Sequence, residues 1–293
     1  MEADQFIRRA LKSLGADLSS GSLKYISHAK GSQLFKWDSG SVRWFIKYYF
    51  DSGGDLQSRA EGDGLEKLMQ VGGLNAPALI GQLEENGKGL LVMDFVEISQ
   101  SGRSRSMETF GRQLAGMHKN AKAGYFGHEM DNYIGTLDQF NGKMGEWAEF
   151  YFYRRLLPQL EMAASGGLLS EELTQKPEQW IHIIHEIYPR ERPSLLHGDL
   201  WSGNLIADAS GTPFVIDPAV YFGHREMDLA MTHLFGGFSS EFYRAYEEEY
   251  PLSPGFESRM ELSQLYYLLV HVNLFGSSYV PATKGIIQKY FEG

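Results

Sequence analysis

The chain has 293 residues, 43% of them hydrophobic, enough to bury a large core as one big domain or two lobes. Its 27 basic and 37 acidic side chains leave a net charge of −10, which argues against broad binding to nucleic acid or anionic membrane, though not against a local basic pocket for phosphates. It contains no cysteine, which excludes disulfides, a thiol nucleophile and Cys-ligated zinc.

The N-terminal stretch MEADQFIRRALKSLG is amphipathic and lacks the apolar centre of a signal peptide. No segment nears the roughly 18 uninterrupted apolar residues of a membrane span, so a cytoplasmic enzyme is expected. LFKW (34–37) and VRWFIKYYF (42–50), joined by a turn at Asp38, Ser39 and Gly40, read as a hairpin with Val42, Trp44, Ile46 and Tyr48 on one face. A helix is expected from about Ala60 to Gln70, and ALIGQLEE and LLVMDFVE flank Asn86 and Gly87 as a second hairpin. After a polar loop from Ser99 to Ser106 the pattern turns helical, through METFGRQLAGMHK, EWAEFYFYRRLLPQLEMA, IHIIHEIY, EMDLAMTHLF, EFYRAYEEEY and ESRMELSQLYYLLVHVNLF.

Within the helical part, LLHGDLWSGN (195–204) sets the carboxylate of Asp199 five positions before the carboxamide of Asn204. LIAD-ASGT-PFVID (205–217) then reads as a hairpin returning to a second carboxylate, Asp217. Three hard oxygen donors suit Mg²⁺, which takes one or two protein ligands and completes its shell with water and substrate phosphates. The Asp-to-Asn spacing is that of a kinase catalytic loop, in which the Asp accepts the proton of the attacking hydroxyl and the Asn binds Mg²⁺; Asp217 then stands as the second magnesium ligand. A kinase also needs a strand lysine for the phosphates of ATP and a helix carboxylate to orient it. Lys47 lies in VRWFIKYYF, and Glu61 falls on the inward stripe of the next helix with Leu65 and Leu68, although Gly62 and Gly64 each weaken that helix by about 1 kcal/mol. LLVMDFVE offers an adenine site through the Asp94 carbonyl and the Val96 amide, while the phosphate-covering loop has only Gly31 between its strands.

These elements predict an α+β, bilobal protein-kinase-like fold, with an antiparallel-sheet nucleotide-binding lobe carrying one helix (1–96) and a mainly helical lobe with the catalytic loop and substrate site (97–293). Asp228 is expected to accept hydrogen bonds from the backbone around His197 and so brace the catalytic loop. His118, His182, His185, His233 and His271 read as packed or surface histidines. Two other classes compete with the Mg·ATP kinase: a metal hydrolase built on His197, Asp199, Asp217, His224 and Asp228, and a nucleotide-binding pseudokinase. An inward Lys47–Glu61 pair discriminates, since a hydrolase has no use for one.

Over nearly its whole length the chain resembles the fructosamine kinase (ketosamine-3-kinase) family, a branch of the aminoglycoside-phosphotransferase-like and choline-kinase-like small-molecule kinases. The resemblance is carried by FIKYY with AEGDGL, LLVMDF, FGRQLAGMH, FGHEMDNYIGTLDQFNGKMGEWAEFYFYRRLLPQL, LLHGDLWSGN and VIDPAVYFGHREMDLAM. It implies ATP- and Mg²⁺-dependent phosphorylation of the sugar 3-hydroxyl of a ketoamine, free or protein-bound, as a step toward deglycation, with His224 and Glu226 on the substrate side. Trp201, two positions after Asp199, is expected to pack its indole on the sugar or on the cationic amine. The chain departs from the family in carrying His28 and Ala29 where relatives often have paired glycines, and in lacking the cysteine that some members place in that loop.

Overall fold

The computed structural model describes residues 2–29 and 31–291; Lys30, beside the glycine of the expected phosphate loop, lies outside them. The chain divides into two compact units, Met1–Ser106 with Leu205–Pro218, and Met107–Asn204 with Ala219–Gly293.

In the first unit, β1 (Ser22–Ala29), β2 (Ser32–Asp38), β3 (Arg43–Tyr49), β4 (Leu79–Glu85) and β5 (Lys88–Asp94) form an antiparallel sheet in the order β1-β2-β3-β5-β4. The Asn86–Gly87 turn between β4 and β5 has positive φ at both residues, 52° and 75°, as a two-residue hairpin turn requires. Alternation along β3 buries Trp44, Ile46 and Tyr48 against a helix that the sequence had not placed in the sheet lobe, α1 (Glu2–Ser13), whose stripe Phe6, Ile7, Ala10 and Leu11 covers that face. Each of the larger side chains so buried contributes about 2 kcal/mol. Val42, expected on the same face, is 38% exposed, because the turn bond from Ser39 N–H to the Val42 carbonyl leaves it outside β3.

The opposite face of β3 carries Lys47 and Tyr49, toward α2 (Gly54–Gln70), which starts six residues earlier than its apolar stripe suggests. Gly62, costly in a helix interior, has a packing reason: a Cβ there would stand 3.0 Å from Gln82 Oε1 and 3.3 Å from Leu91 Cδ1, so glycine lets the helix lie close on the sheet. The expected polar loop from Ser99 to Ser106 is instead the first two turns of α3 (Gln100–Asn120). Ser99 caps it, its hydroxyl accepting the Gly102 amide at 3.1 Å. The inserted segment pairs Leu205–Ala207 with Pro213–Val215, the hairpin read from the sequence.

The second unit is built of helices around one core that includes Phe150, Tyr151, Phe152, Leu265 and Leu269. The run Trp147–Ser165 contains a π-turn at Phe152–Leu156, which carries the buried Arg155 guanidinium 4.0 Å from the ring centroid of Tyr221. Two short strands, Ser194–Leu196 and Tyr221–Gly223, pair antiparallel on either side of the loop 197–204.

Candidate active site

In the sheet unit, Lys47 is buried with its Nζ donating to Glu61 Oε2 at 2.7 Å and to Asp217 Oδ1 at 2.9 Å. The Tyr49 hydroxyl, two residues along the same face of β3, also donates to Glu61 Oε2. Burial alone would lower the Lys47 pKa, but the carboxylates of Asp217 and Glu61 outweigh it and hold that pKa well above the usual lysine range. Burial also pushes Glu61 up, opposed by Lys47, and raises the Tyr49 phenol well above its ordinary value. A permanent cation is thus fixed on the wall of a cavity of about 410 Å³, which Asp94, Val96 and Asp217 also line.

Asp217 has φ 52°, unusual for an aspartate, and its carboxylate is half exposed. Its neighbourhood is braced from the same unit, where Val215 N–H donates to the Asn75 carbonyl and Asn75 Nδ2 to the Pro213 carbonyl. Between β1 and β2, Ala29 pairs with Ser32 and Gly31 has φ 80°.

The helical unit holds the loop 197–204. His197 and Gly198 donate their backbone amides to the two oxygens of buried Asp228, at 2.8 and 2.9 Å, and His118 Nε2 approaches the same carboxylate at 3.2 Å. Burial lowers the His118 pKa against the pull of Asp228, so the ring is neutral, with Nε2–H donating to Asp228 and Nδ1 accepting from the Tyr246 hydroxyl. Gly198 has φ 86°, and a Cβ on it would stand 1.9 Å from the Ala219 carbonyl oxygen. The Asn204 carboxamide donates to the Asp199 carbonyl at 2.8 Å and to its Oδ2 at 3.2 Å, bringing together the two residues that the loop spacing picked out. With its nitrogen committed there, the atom Asn204 can offer a metal is its carboxamide oxygen. Asp199 and Trp201 line a second cavity, of about 450 Å³, walled by Phe235, Tyr267, His271 and Phe275. Trp201 is 41% exposed, lying over Gly203 rather than in the core.

His224 and Glu226, expected on the substrate side, do not line this cavity. Glu226 is fully buried in a two-pronged pair with Arg259, at 2.7 and 2.5 Å. His224 is buried against Trp147 and Tyr188 and donates Nε2–H to the Pro189 carbonyl. Each has its polar atoms engaged inside the fold.

The run NYIGTLDQFN proves to be a buried amide network. Asn132 and Gln139 donate to the carbonyls of Val220 and Ala219, Asn141 donates to Asn132, and Arg155 and Tyr266 close the set on Asn141 and Gln139. Ala219 in turn donates its amide to the His197 carbonyl at 2.9 Å. Its signal in the sequence is four amide- or charge-bearing residues in a stretch otherwise fit for a hairpin. Among the described residues, no cluster of three or more histidine or acidic side chains could hold a metal ion by itself.

Residues 5–292 match the family model described as Fructosamine kinase. The chain is 38% identical over 267 residues to a protein-ribulosamine 3-kinase, chloroplastic, of Oryza sativa subsp. indica, covering 88% of this chain and 75% of that protein. It is 33% identical to the ketosamine-3-kinase of Mus musculus, covering 94% of this chain and 97% of that one. The crystal structure of a candidate fructosamine-3-kinase from Haemophilus somnus superposes with a TM-score of 0.86 at 27% identity, over 97% of this chain and 95% of the other. A choline kinase from Streptococcus pneumoniae, 15% identical and covered in full on both sides, shares the fold with a TM-score of 0.63. The fold is protein-kinase-like, an antiparallel sheet region followed by a helical one.

Proposed function

This chain belongs to the fructosamine kinase family, and on that premise we propose that it transfers the γ-phosphate of ATP to the sugar 3-hydroxyl of a ketoamine, leaving ADP and a 3-phosphoketoamine. The observation that carries the proposal is Lys47, a buried cation held by Glu61 and Asp217 on the wall of an otherwise largely apolar cavity. A fixed ammonium there serves the phosphates of ATP, and the Asp94 and Val96 backbone serves the purine edge. The family-named relatives supply the acceptor class.

In the reaction, the sugar oxygen attacks the γ-phosphorus, the bond to the β–γ bridging oxygen breaks, and the hydroxyl proton passes to Asp199. The Asn204 amide holds the Asp199 carboxylate through Oδ2, which fixes its direction before substrate arrives. Asn204 and Asp217 offer hard oxygen donors that fit Mg²⁺, which when bound neutralises charge on the β- and γ-phosphates. Trp201 offers an exposed indole to the sugar or to the amine. The metal-hydrolase alternative loses its ligands, because both Asp228 oxygens accept backbone amides and His224 Nε2 is spent on the Pro189 carbonyl.

The test is to incubate the protein with Mg·ATP and a panel of synthetic fructosamines, ribulosamines and erythrulosamines and to detect the phosphorylated product. Wild type should phosphorylate at least one, and Asp199→Asn should lose about 10²–10⁴ in kcat with ADP affinity nearly intact. An Asp199→Asn variant with near-wild-type kcat rules out the general-base role.

A further inference from the structure

Two buried phenols in the helical unit play no part in this chemistry. Tyr221 and Tyr267 are fully buried neighbours, and neither hydroxyl has a partner at good hydrogen-bonding geometry, although Arg155 and Tyr267 both stand close to that of Tyr221. Native folds rarely leave such groups unpaired, and where they do, a ligand or an ordered water supplies the partner. The other buried tyrosines of this core are paired: Tyr151 donates to the Leu262 carbonyl, Tyr266 to Gln139, and Tyr188 shares a bond with Ser263. Of the two unpaired ones, Tyr267 lines the cavity of Asp199 and Trp201. Burial first, then the neighbouring Tyr221 and the carboxylates of Asp228 and Asp199, hold the Tyr267 phenol well above its usual range, so it remains a donor at physiological pH.

A cavity wall with an acceptor at Asp199 and a donor at Tyr267 matches a sugar fragment with a hydroxyl beside a carbonyl. We propose that the Tyr267 hydroxyl donates to the C2 oxygen of the ketoamine, the carbonyl or hemiketal oxygen next to the carbon that is phosphorylated, while Asp199 accepts from the 3-hydroxyl. The proposal rests on the ketoamine kinase assignment and sharpens it. Tyr221 stands beside Tyr267 with the Arg155 guanidinium 4.0 Å from its ring centroid, so the Tyr221 hydroxyl does not depend on the substrate as that of Tyr267 does. By its bond to the sugar, Tyr267 selects an α-hydroxyketone over a polyol that lacks the C2 oxygen.

Full-length Tyr267→Phe and Tyr221→Phe are compared with wild type in two measurements. The first is the urea midpoint. Removing a hydroxyl with no partner should leave it unchanged or raise it in Tyr267→Phe, and a clear fall would overturn the proposal by showing that the oxygen is bonded within the fold. The second is kcat/KM for a ketoamine and for its analogue with hydrogen in place of the C2 oxygen. Tyr267→Phe should lose about 10-fold on the ketoamine with KM for ATP unmoved, Tyr221→Phe should lose less, and wild type and Tyr267→Phe should be equal on the analogue. Equal kcat/KM of wild type and Tyr267→Phe on the ketoamine, as a water at the hydroxyl would give, sinks the proposal, and so does an equal loss on the analogue. A wild type that phosphorylates no ketoamine at all is a different result, and it fells the underlying assignment.

Discussion

Replacing Asp228 by Asn removes a charge without removing volume, and the structure says what that costs. The carboxylate receives three N–H groups, from the His197 amide, the Gly198 amide and His118 Nε2, and all of them are buried. An asparagine has one oxygen to offer, and its NH₂ turns a donor toward a donor on the other side. At least one backbone amide of the loop is then left unpaired. Charge-assisted hydrogen bonds contribute roughly 1.5–3 kcal/mol each, and a stranded buried donor costs roughly 1–3 kcal/mol. Asp228→Asn should therefore lose about 2.5–6 kcal/mol in urea unfolding, on the sum of one lost bond and one stranded donor. Activity should fall as well, because the same two amides hold the backbone immediately before Asp199. kcat should drop while KM for ATP changes little, since Asp228 braces the loop of Asp199 and the cavity beside Lys47 is lined by the sheet unit's own residues. A loss below about 1 kcal/mol with kcat within about twofold of wild type would refute the idea that Asp228 sets the loop.

Three further outcomes follow from the geometry. Lys47→Met and Glu61→Gln should each cut kcat/KM for ATP by about 10²-fold, and the double variant should lose less than the product because the two act as a unit; strict additivity would show that they do not. Gly198→Ala should destabilise by about 3 kcal/mol or more, since its φ of 86° strains an alanine and the added Cβ would stand 1.9 Å from the Ala219 carbonyl; a loss under about 1 kcal/mol would mean that the loop opens freely. Burial, opposed by Glu191, depresses the Lys122 pKa from 10.5 to about 8. Between those values the unfolded chain holds the extra proton, so stability from this group rises with pH, and wild type should gain on Lys122→Met from pH 8 to 10.5; a flat difference would place Lys122 in solvent.

Much of the sheet unit could be read from the sequence because its determinants are local. Asn86 and Gly87 can both take positive φ, and period-two alternation separates Ile46 from Lys47. The Lys47–Glu61 bond followed from placing Glu61 on the stripe of Leu65 and Leu68. The start of α3 was not legible, because QSGRSRS has the composition of a loop and only the Ser99 side chain, closing on Gly102, shows that a helix begins there. The last helix, Val280–Phe291, escaped for a related reason: Pro281 and Gly285 read as breakers, although a proline in the first turn forfeits no helical hydrogen bond.

The loop 197–204 was legible as a spacing, and its support only in part. Asp228 was placed correctly on the His197 backbone, while Glu226, two residues away on the same helix, was placed on the substrate side. What separates them is Arg259, 33 positions further on, which no local pattern ties to Glu226. Tyr267 is harder still. On a helix whose buried residues include Leu265, Tyr266, Leu268 and Leu269, an aromatic looks like core, and by burial it is core. Its neighbour Tyr266 is equally buried yet bonded to Gln139, so burial does not distinguish them. The distinction lies in the pairing of a single oxygen: of the buried side-chain atoms left without a partner among the described residues, the Tyr267 hydroxyl is the one whose residue lines the Asp199 cavity.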